Sequence, residues 1–171
     1  MKFTNEMIQE YGPSLYRFCL TLTRAKDLAD DLYQETFILA LNYSQEIQEE
    51  SFQSLLFRLA HRKWKDKQRK WARRNKLAPE VSSEEVLNYL VDTSPSPEDQ
   101  VMEKQRARDV NKAILDLEDA YREVIILFYM GDYSMKEIAD LLSLPEGTVK
   151  SRLHYAKETL KENLKEYRHD Q

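Results

Sequence analysis

The sequence is poor in the residues that make turns and cross-links, with three Gly, five Pro and a single cysteine, Cys19, among 171 residues. A sheet protein needs many tight turns, so this composition favours a chain built from helices. One cysteine excludes an internal disulfide framework and is typical of a reducing compartment. No apolar run is long enough to span a bilayer, and the N-terminus lacks the apolar segment of a signal peptide. We therefore expect a cytoplasmic protein without membrane insertion.

The patterns of catalytic and cofactor sites are also missing. The sequence contains no P-loop, no Gly-rich dinucleotide loop and no zinc-spaced set of Cys and His. Its three histidines, His61, His154 and His169, lie far apart in the chain, and no nucleophile stands beside an acid/base pair. We expect neither an enzyme nor a bound cofactor or metal.

Charge is present in quantity but divided unevenly along the chain. The net charge of −4 conceals an N-terminal stretch, residues 1–76, with 14 basic and 10 acidic side chains. Residues 77–105 then carry seven acids and a single Lys. Positive charge is local, which is what contacts to phosphate groups require.

The densest basic segment is a predicted helix over residues 51–76. Between Arg62 and Lys76 it has nine Lys and Arg against one acid, Asp66, and a basic stripe runs along one face at three- and four-residue steps. Trp64 and Trp71 share another face. Such a helix suits nucleic acid whose strands are being parted, because cations hold phosphates and rings stack on bases. Packing of both Trp side chains in a core is an equally good reading.

Residues 132–161 have the pattern of a helix-turn-helix. A short amphipathic helix ends before Pro145, which fixes its own backbone and disfavours helix at the preceding residue. A second helix follows, with an apolar stripe and a polar outer face. Its stripe consists of Val149, Leu153, Ala156 and Leu160. The second helix of such a unit enters the DNA major groove, although a plain helical hairpin fits the same spacing.

The remaining segments are also predicted as helices. Residues 3–23 are predicted to form a helix that is interrupted near Gly12-Pro13. Residues 27–41 are predicted to form a helix with an anionic face. Its core side is predicted to consist of Leu28, Leu32, Phe37, Leu39 and Leu41. Residues 101–117 and 119–130 read as two more, and a short helix precedes the acidic, Pro-bearing stretch before residue 99.

Three of these segments resemble one family. EIADLLSLPEGTVKSRLHYAKETL is similar to the promoter-reading domain of bacterial group IV (extracytoplasmic-function) sigma factors of the sigma-70 family. DLADDLYQETF resembles their segment that grips the coiled coil of the polymerase β′ subunit, and residues 51–76 resemble their helix that reads and melts the −10 element. The chain departs from the family pattern at Leu55, Arg62 and Ser143, where Trp, Asn and Gly are usual.

The resemblance implies an all-α fold of two small helical domains joined by a flexible acidic linker. Region 2 would occupy residues 1–78, the linker 79–104, and region 4, with the helix-turn-helix, 105–171. The expected function is to direct core RNA polymerase to promoters, in a stress or envelope response and under an anti-sigma factor. The partners would be the β′ and β subunits, promoter DNA and that anti-sigma factor.

The resemblance also implies three sets of contact residues. For core polymerase these are Asp31, Gln34, Glu35 and Phe37. For the −10 element they are Arg58, His61, Arg62, Trp64, Lys65, Arg69 and Arg73. For the −35 element they are Thr148, Lys150, Ser151, Arg152, His154 and Lys157.

Two other functions remain open at this point. A stand-alone repressor or activator would use the same helix-turn-helix and keep the N-terminal half for dimerisation. A protein-interaction adaptor would use the basic helix to bind an acidic partner and would not touch DNA. Binding to duplex DNA without polymerase would indicate the first, and binding to neither would indicate the second.

Overall fold

The structure is a computed structural model that describes residues 4–43, 52–74, 83–92 and 101–169. These ranges contain helices and turns but no strand, which confirms the predicted all-α class. The helices in chain order are α1 (Asn5–Thr23), α2 (Lys26–Leu41), α3 (Phe52–Arg73), α4 (Ser83–Asp92), α5 (Val101–Leu115), α6 (Asp119–Tyr129), α7 (Met135–Leu142) and α8 (Glu146–His169).

The N-terminal unit is formed by α1, α2 and α3, which pack against one another. Its centre is apolar and fully buried: Phe18 of α1 stacks on Phe57 of α3, with ring centroids 4.4 Å apart. Leu15, Leu32 and Leu56 are inaccessible to solvent around this pair. The stripe of large apolar residues that begins α3 therefore faces the core, which leaves the basic residues further along the helix at or near the surface.

Two expectations about this unit were wrong. Helix α1 continues through Pro13 instead of stopping there. Pro13 is exposed, so the carbonyl group that loses its partner lies on the solvent side of the helix. In α2, Leu39 and Leu41 are 39% and 57% exposed and do not belong to the core.

The predicted linker, residues 79–104, contains a packed helix. Val86, Leu87 and Leu90 of α4 are buried, and Arg17 of α1 donates from Nη1 to the carbonyl oxygen of Leu90 at 3.0 Å. Helix α4 thus contacts α1 of the N-terminal unit, and it also packs on α5, where Arg108 pairs with Glu84 and donates to Asn88. The predicted boundary at residue 104 falls inside α5. The proline-bearing stretch, residues 93–100, lies outside the described residues.

The C-terminal unit is formed by α5 to α8, and it contains the predicted helix-turn-helix as α7 and α8. Helix α7 begins with a capping box, in which the Ser134 hydroxyl accepts from the Glu137 amide while the Glu137 carboxylate accepts from the Ser134 amide. It ends at Ser143, whose φ of 55° lies in the left-handed region. The core side chains of α8, Val149 and Leu153, are buried.

The two units are joined through the buried guanidinium group of Arg122 on α6. Its Nε donates to the carbonyl oxygen of Thr21 at 3.1 Å and its Nη2 to that of Leu22 at 3.5 Å. These carbonyls end α1, where a helix has no partners of its own and where α1 has no basic residue in its last turn. Arg122 also donates to the Leu117 carbonyl oxygen and the Asp119 carboxylate, at 2.7 and 2.6 Å.

Arg24 makes the reciprocal contact, from the N-terminal unit to the C-terminal unit. It follows α1 in the left-handed conformation, and its Nη1 donates at 3.3 Å to the carbonyl oxygen of Leu115, the last residue of α5. Each unit therefore caps a helix end of the other with an arginine.

A second set of contacts joins α3 to the C-terminal unit. The carboxylate of Glu123, only 6% exposed, pairs with Nε2 of His61 and, at 3.1 Å, with Nζ of Lys65. Burial alone would raise the pKa of Glu123, but the two partners outweigh burial and hold that pKa below its usual value. The Tyr133 hydroxyl donates to the carbonyl oxygen of Ser54 nearby.

Removing the charge of Glu123 should separate the units. In Glu123→Gln, a neutral amide would leave His61 and Lys65 without their carboxylate. This would cost about 2 kcal/mol in the closed arrangement, in which the two units are in contact as described above. Small-angle X-ray scattering should show a larger radius of gyration. The control is Glu158→Gln, whose carboxylate pairs with Lys161 on the same helix at 3.3 Å. An unchanged scattering profile for Glu123→Gln would show that this pair does not hold the units together.

The left-handed Ser143 should limit stability. Because Ser143 is exposed, Ser143→Gly should raise the free energy of unfolding by up to about 1 kcal/mol through relief of backbone strain. The same exchange inside α8, Ser151→Gly, should lower it by roughly 0.5 kcal/mol. Denaturant titration of both variants makes the comparison, and a loss of stability in Ser143→Gly would contradict this reading of the turn.

Candidate nucleic-acid interface

The outer face of α8 is available near its N-terminal end. Lys150, Ser151 and His154 are exposed, and they lie opposite the buried Val149 and Ala156. Gly147 is exposed on the same face, and a Cβ there would meet nothing within 4 Å. A helix with small residues for close approach and donors beside them fits contacts to phosphates and base edges.

The other predicted contacts of α8 lie at the borders of this face. Thr148 and Arg152 are half-buried. Lys157, also half-buried, places its Nζ over the ring of Phe128 at 5.4 Å and over that of Tyr129 at 5.8 Å. Lys157 therefore makes cation–π contacts with two aromatic rings of α6 in this arrangement.

Helix α3 presents a basic groove at its C-terminal end. Arg69 and Arg73 are exposed there, and Arg62 is exposed nearer the middle of the helix. An open groove of about 700 Å³ is lined mostly by Lys and Arg of α3, together with two carboxylates: Glu35, Lys63, Asp66, Lys67, Arg69, Lys70 and Arg73. Asp66 pairs with Arg69 at 3.2 Å, and the remaining excess of cations fits a polyanion.

Two of the predicted −10 contacts are buried in this arrangement. His61 is 3% exposed and engaged by Glu123, and Trp64 is 7% exposed. Trp64 meets the half-buried Trp71 edge to face, with centroids 5.5 Å apart. Packing thus accounts for the position of Trp64 in this structure. Two further predicted −10 contacts, Arg58 and Lys65, are half-buried.

The exposed face of α2 combines charge with apolar surface. Asp31 and Gln34 are exposed as a docking residue needs to be, whereas Phe37 is 7% exposed and belongs to the core. Glu35 is half-buried and pairs with Lys67 at 3.0 Å. Sequence reasoning missed Ile38 and Leu41, each 57% exposed. Their helical spacing from Asp31 and Gln34 was the available signal.

Arg122 and Glu123 were also missed, although they are the charges that join the two units. The available signal was their position within the apolar run of α6, since buried charges are rare unless paired. Among the described residues, no cluster of His, Cys, Asp and Glu is arranged to hold a metal ion. None of the described helices is both long enough and apolar enough to cross a bilayer.

Comparison with known proteins identifies both units. The chain matches the family model of Sigma-70 region 2 over residues 7–74 and that of Sigma-70, region 4 over residues 107–160. It is 32% identical over 165 residues to the ECF RNA polymerase sigma factor SigW of Bacillus subtilis, covering 94% of this chain and 88% of that protein. It is 29% identical to SigM of the same organism, covering 92% of each.

The solved structures agree on the fold. The sigma factor RpoE of Bartonella quintana, determined in complex with the anti-sigma factor NepR, superposes with a TM-score of 0.68 at 24% identity, covering 94% of this chain and 95% of that chain. CnrH, determined with the cytosolic domain of CnrY, superposes with a TM-score of 0.57 at 20% identity.

Similarity to SigW along nearly the whole chain, with the two sigma-70 regions matched in their order, shows that the protein belongs to the ECF family of RNA polymerase sigma factors, which are transcription initiation factors and not enzymes.

Proposed function

We propose that this sigma factor uses three separate helix faces: α8 for the −35 element, α3 for the −10 element and α2 for core RNA polymerase. The single observation that carries the proposal is the division of exposed charge. Cations and donors face outward on α3 and on the first turns of α8, whereas carboxylates and apolar side chains face outward on α2. Contacts to phosphates require exposed cations and donors, whereas exposed carboxylates beside apolar side chains suit a protein partner.

On α8, the contacts we propose are Lys150, Ser151 and His154 on the open face, with Thr148 and Arg152 at its edge. Lys157 joins them only if it leaves the rings of Phe128 and Tyr129. The N-terminal turns of the helix also direct free amide groups and a positive partial charge toward phosphate.

On α3, the exposed Arg62, Arg69 and Arg73 would hold the phosphates of the −10 region. His61 and Lys65 are engaged by Glu123, so their use on DNA requires the C-terminal unit to move away from α3. We therefore propose that the closed arrangement is the unbound form and that assembly with polymerase opens it.

On α2, we propose that Asp31 and Gln34 bind the β′ subunit together with Ile38 and Leu41. Exposed aliphatic side chains beside polar groups are typical of a protein interface. Phe37 supports this face from inside the core and does not touch the partner.

We further propose that an anti-sigma factor controls this chain in the cytoplasm, in a stress or envelope response. RpoE, which shares its fold, was solved with the anti-sigma factor NepR, and CnrH was solved with the cytosolic domain of CnrY. An anti-sigma factor that binds the closed form would hold α3 and α6 together. It would thereby prevent the sigma factor from making promoter contacts for polymerase.

Transcription with purified core polymerase on a promoter library tests the whole proposal. Adding the chain should create start sites that core polymerase alone does not use. A stand-alone repressor would bind duplex DNA without polymerase and create none, and that result would overturn the proposal.

Lys150→Ala should weaken promoter use a few-fold at all sequences, because a lost phosphate contact is not sequence-specific. The slope of log affinity against log salt should fall by about 1. Lys161→Ala is the matched control, since Lys161 is an exposed lysine on the same helix three turns further on. Equal behaviour of the two variants would refute the placement of the N-terminal turns of α8 on DNA.

Ile38→Ser should weaken the affinity for core polymerase about tenfold, as expected for a buried aliphatic side chain at an interface. The control is Val110→Ser on α5, an aliphatic residue that is 42% exposed. Fluorescence titration of labelled chain with core polymerase measures both. Wild-type affinity for Ile38→Ser would remove α2 from the interface.

A further inference from the structure

An open pocket of about 420 Å³ lies where α1, α2 and α4 meet. Its walls are the rings of Tyr16, Tyr33 and Tyr89, and the carboxylate of Asp30 lies among them. Gln34, on the outward face of α2, contributes to its rim. Apart from Gln34, these side chains belong to none of the three contact surfaces described above.

The three rings form the sides of a box. The Tyr16 ring meets that of Tyr33 at 80° with centroids 5.5 Å apart, and that of Tyr89 at 86° with centroids 5.1 Å apart. Each ring comes from a different helix, and all three are half-buried. The rings meet one another edge to face. Aromatic rings that line a pocket suit a cation, which is attracted to the face of a ring.

The polar group in the box is an anion. The Tyr16 hydroxyl donates to the carboxylate of Asp30, and burial together with this hydrogen bond raises the pKa of Tyr16, so the phenol stays neutral. Among the described residues, the cation that pairs with Asp30 is Lys26, whose Nζ lies 3.7 Å from the carboxylate. That pair is exposed on both sides, and exposed pairs of this kind contribute little.

Gly12 shows that the position of Tyr33 is maintained at a cost. A glycine inside a helix destabilises the helix relative to alanine. A Cβ at Gly12 would lie 2.7 Å from the hydroxyl oxygen of Tyr33. The glycine therefore makes the room that the third ring of the pocket needs.

We propose that this pocket receives an arginine side chain of core RNA polymerase. A planar guanidinium group stacks on an aromatic ring while it donates hydrogen bonds to a carboxylate, which an ammonium group does less well. The partner is polymerase because Gln34 belongs to both the rim of the pocket and the outward face of α2. The inference thus rests on the proposed role of α2.

The pocket also connects α4 to polymerase binding. Tyr89 is the ring that α4 supplies, and α4 lies in the segment predicted from sequence to be a flexible linker. An arginine in the box would contact α1, α2 and α4 at once, so polymerase would hold α4 against the N-terminal unit even when the C-terminal unit moves away.

The test is the affinity of the full chain for purified core polymerase, measured by fluorescence titration. Tyr33→Leu, which removes a ring, and Asp30→Asn, which removes the charge but keeps an acceptor for Tyr16, should each weaken binding about three- to tenfold. Tyr33→Phe keeps the ring and should bind within about twofold of the parent chain. Asp140→Asn on α7, also exposed, is the control for the charge change.

The outcomes separate this proposal from the one it rests on. Normal affinity in Tyr33→Leu and Asp30→Asn, with weak binding in Ile38→Ser, would overturn the arginine pocket and leave α2 at the interface. Normal affinity in all three would overturn both. A loss in Tyr33→Leu but none in Asp30→Asn would show an apolar contact and also overturn the cation. Thermal denaturation of each variant establishes whether it is folded. If Tyr33→Leu does not fold, the affinity of Asp30→Asn for core polymerase decides the test.

Discussion

The closed arrangement depends on the guanidinium group of Arg122, which lies in one unit and completes a helix end in the other. A buried arginine is costly unless its donors are used. Here two carbonyl groups at the end of α1 accept from Arg122, and Leu117 and Asp119 of its own unit accept two further hydrogen bonds. Arg24 likewise caps the end of α5. Because these bonds are polar, water can replace them when the units part. Buried apolar residues of the two units also belong to one cluster, so the contact has an apolar part as well.

The same contact decides which parts of the proposed DNA-binding surface are free. Glu123 follows Arg122 in sequence and engages His61 and Lys65 on α3, so the residues that join the units cover part of the basic stripe. The exposed arginines of α3 and the first turns of α8 stay open. A single helix, α6, therefore links the state of the interface to the accessibility of the proposed −10 surface. Polymerase or an anti-sigma factor would act by favouring one arrangement.

Much of the fold could be predicted from the sequence, because helical periodicity reports which face of a helix is apolar. It placed α7, α8 and the turn at Ser143 correctly, and it found the helix within the linker. Periodicity does not report what covers a face, so Leu41 was assigned to the core. The periodicity placed Phe37 in the core correctly, whereas its assignment to a partner came from the family resemblance. The burial of His61 could not be foreseen, since it depends on Glu123, which lies in the other unit and makes a long-range contact.

The most direct measurement of the central claim is a distance across the two units, taken on the free chain and on the assembled holoenzyme. Spin labels at Glu10 on α1 and Asp140 on α7, both exposed positions, would report it by electron–electron double resonance. The account predicts a narrow, short distance distribution in the free chain and a longer one when core polymerase is bound. A short distance that persists in a holoenzyme that initiates at its promoters would contradict it.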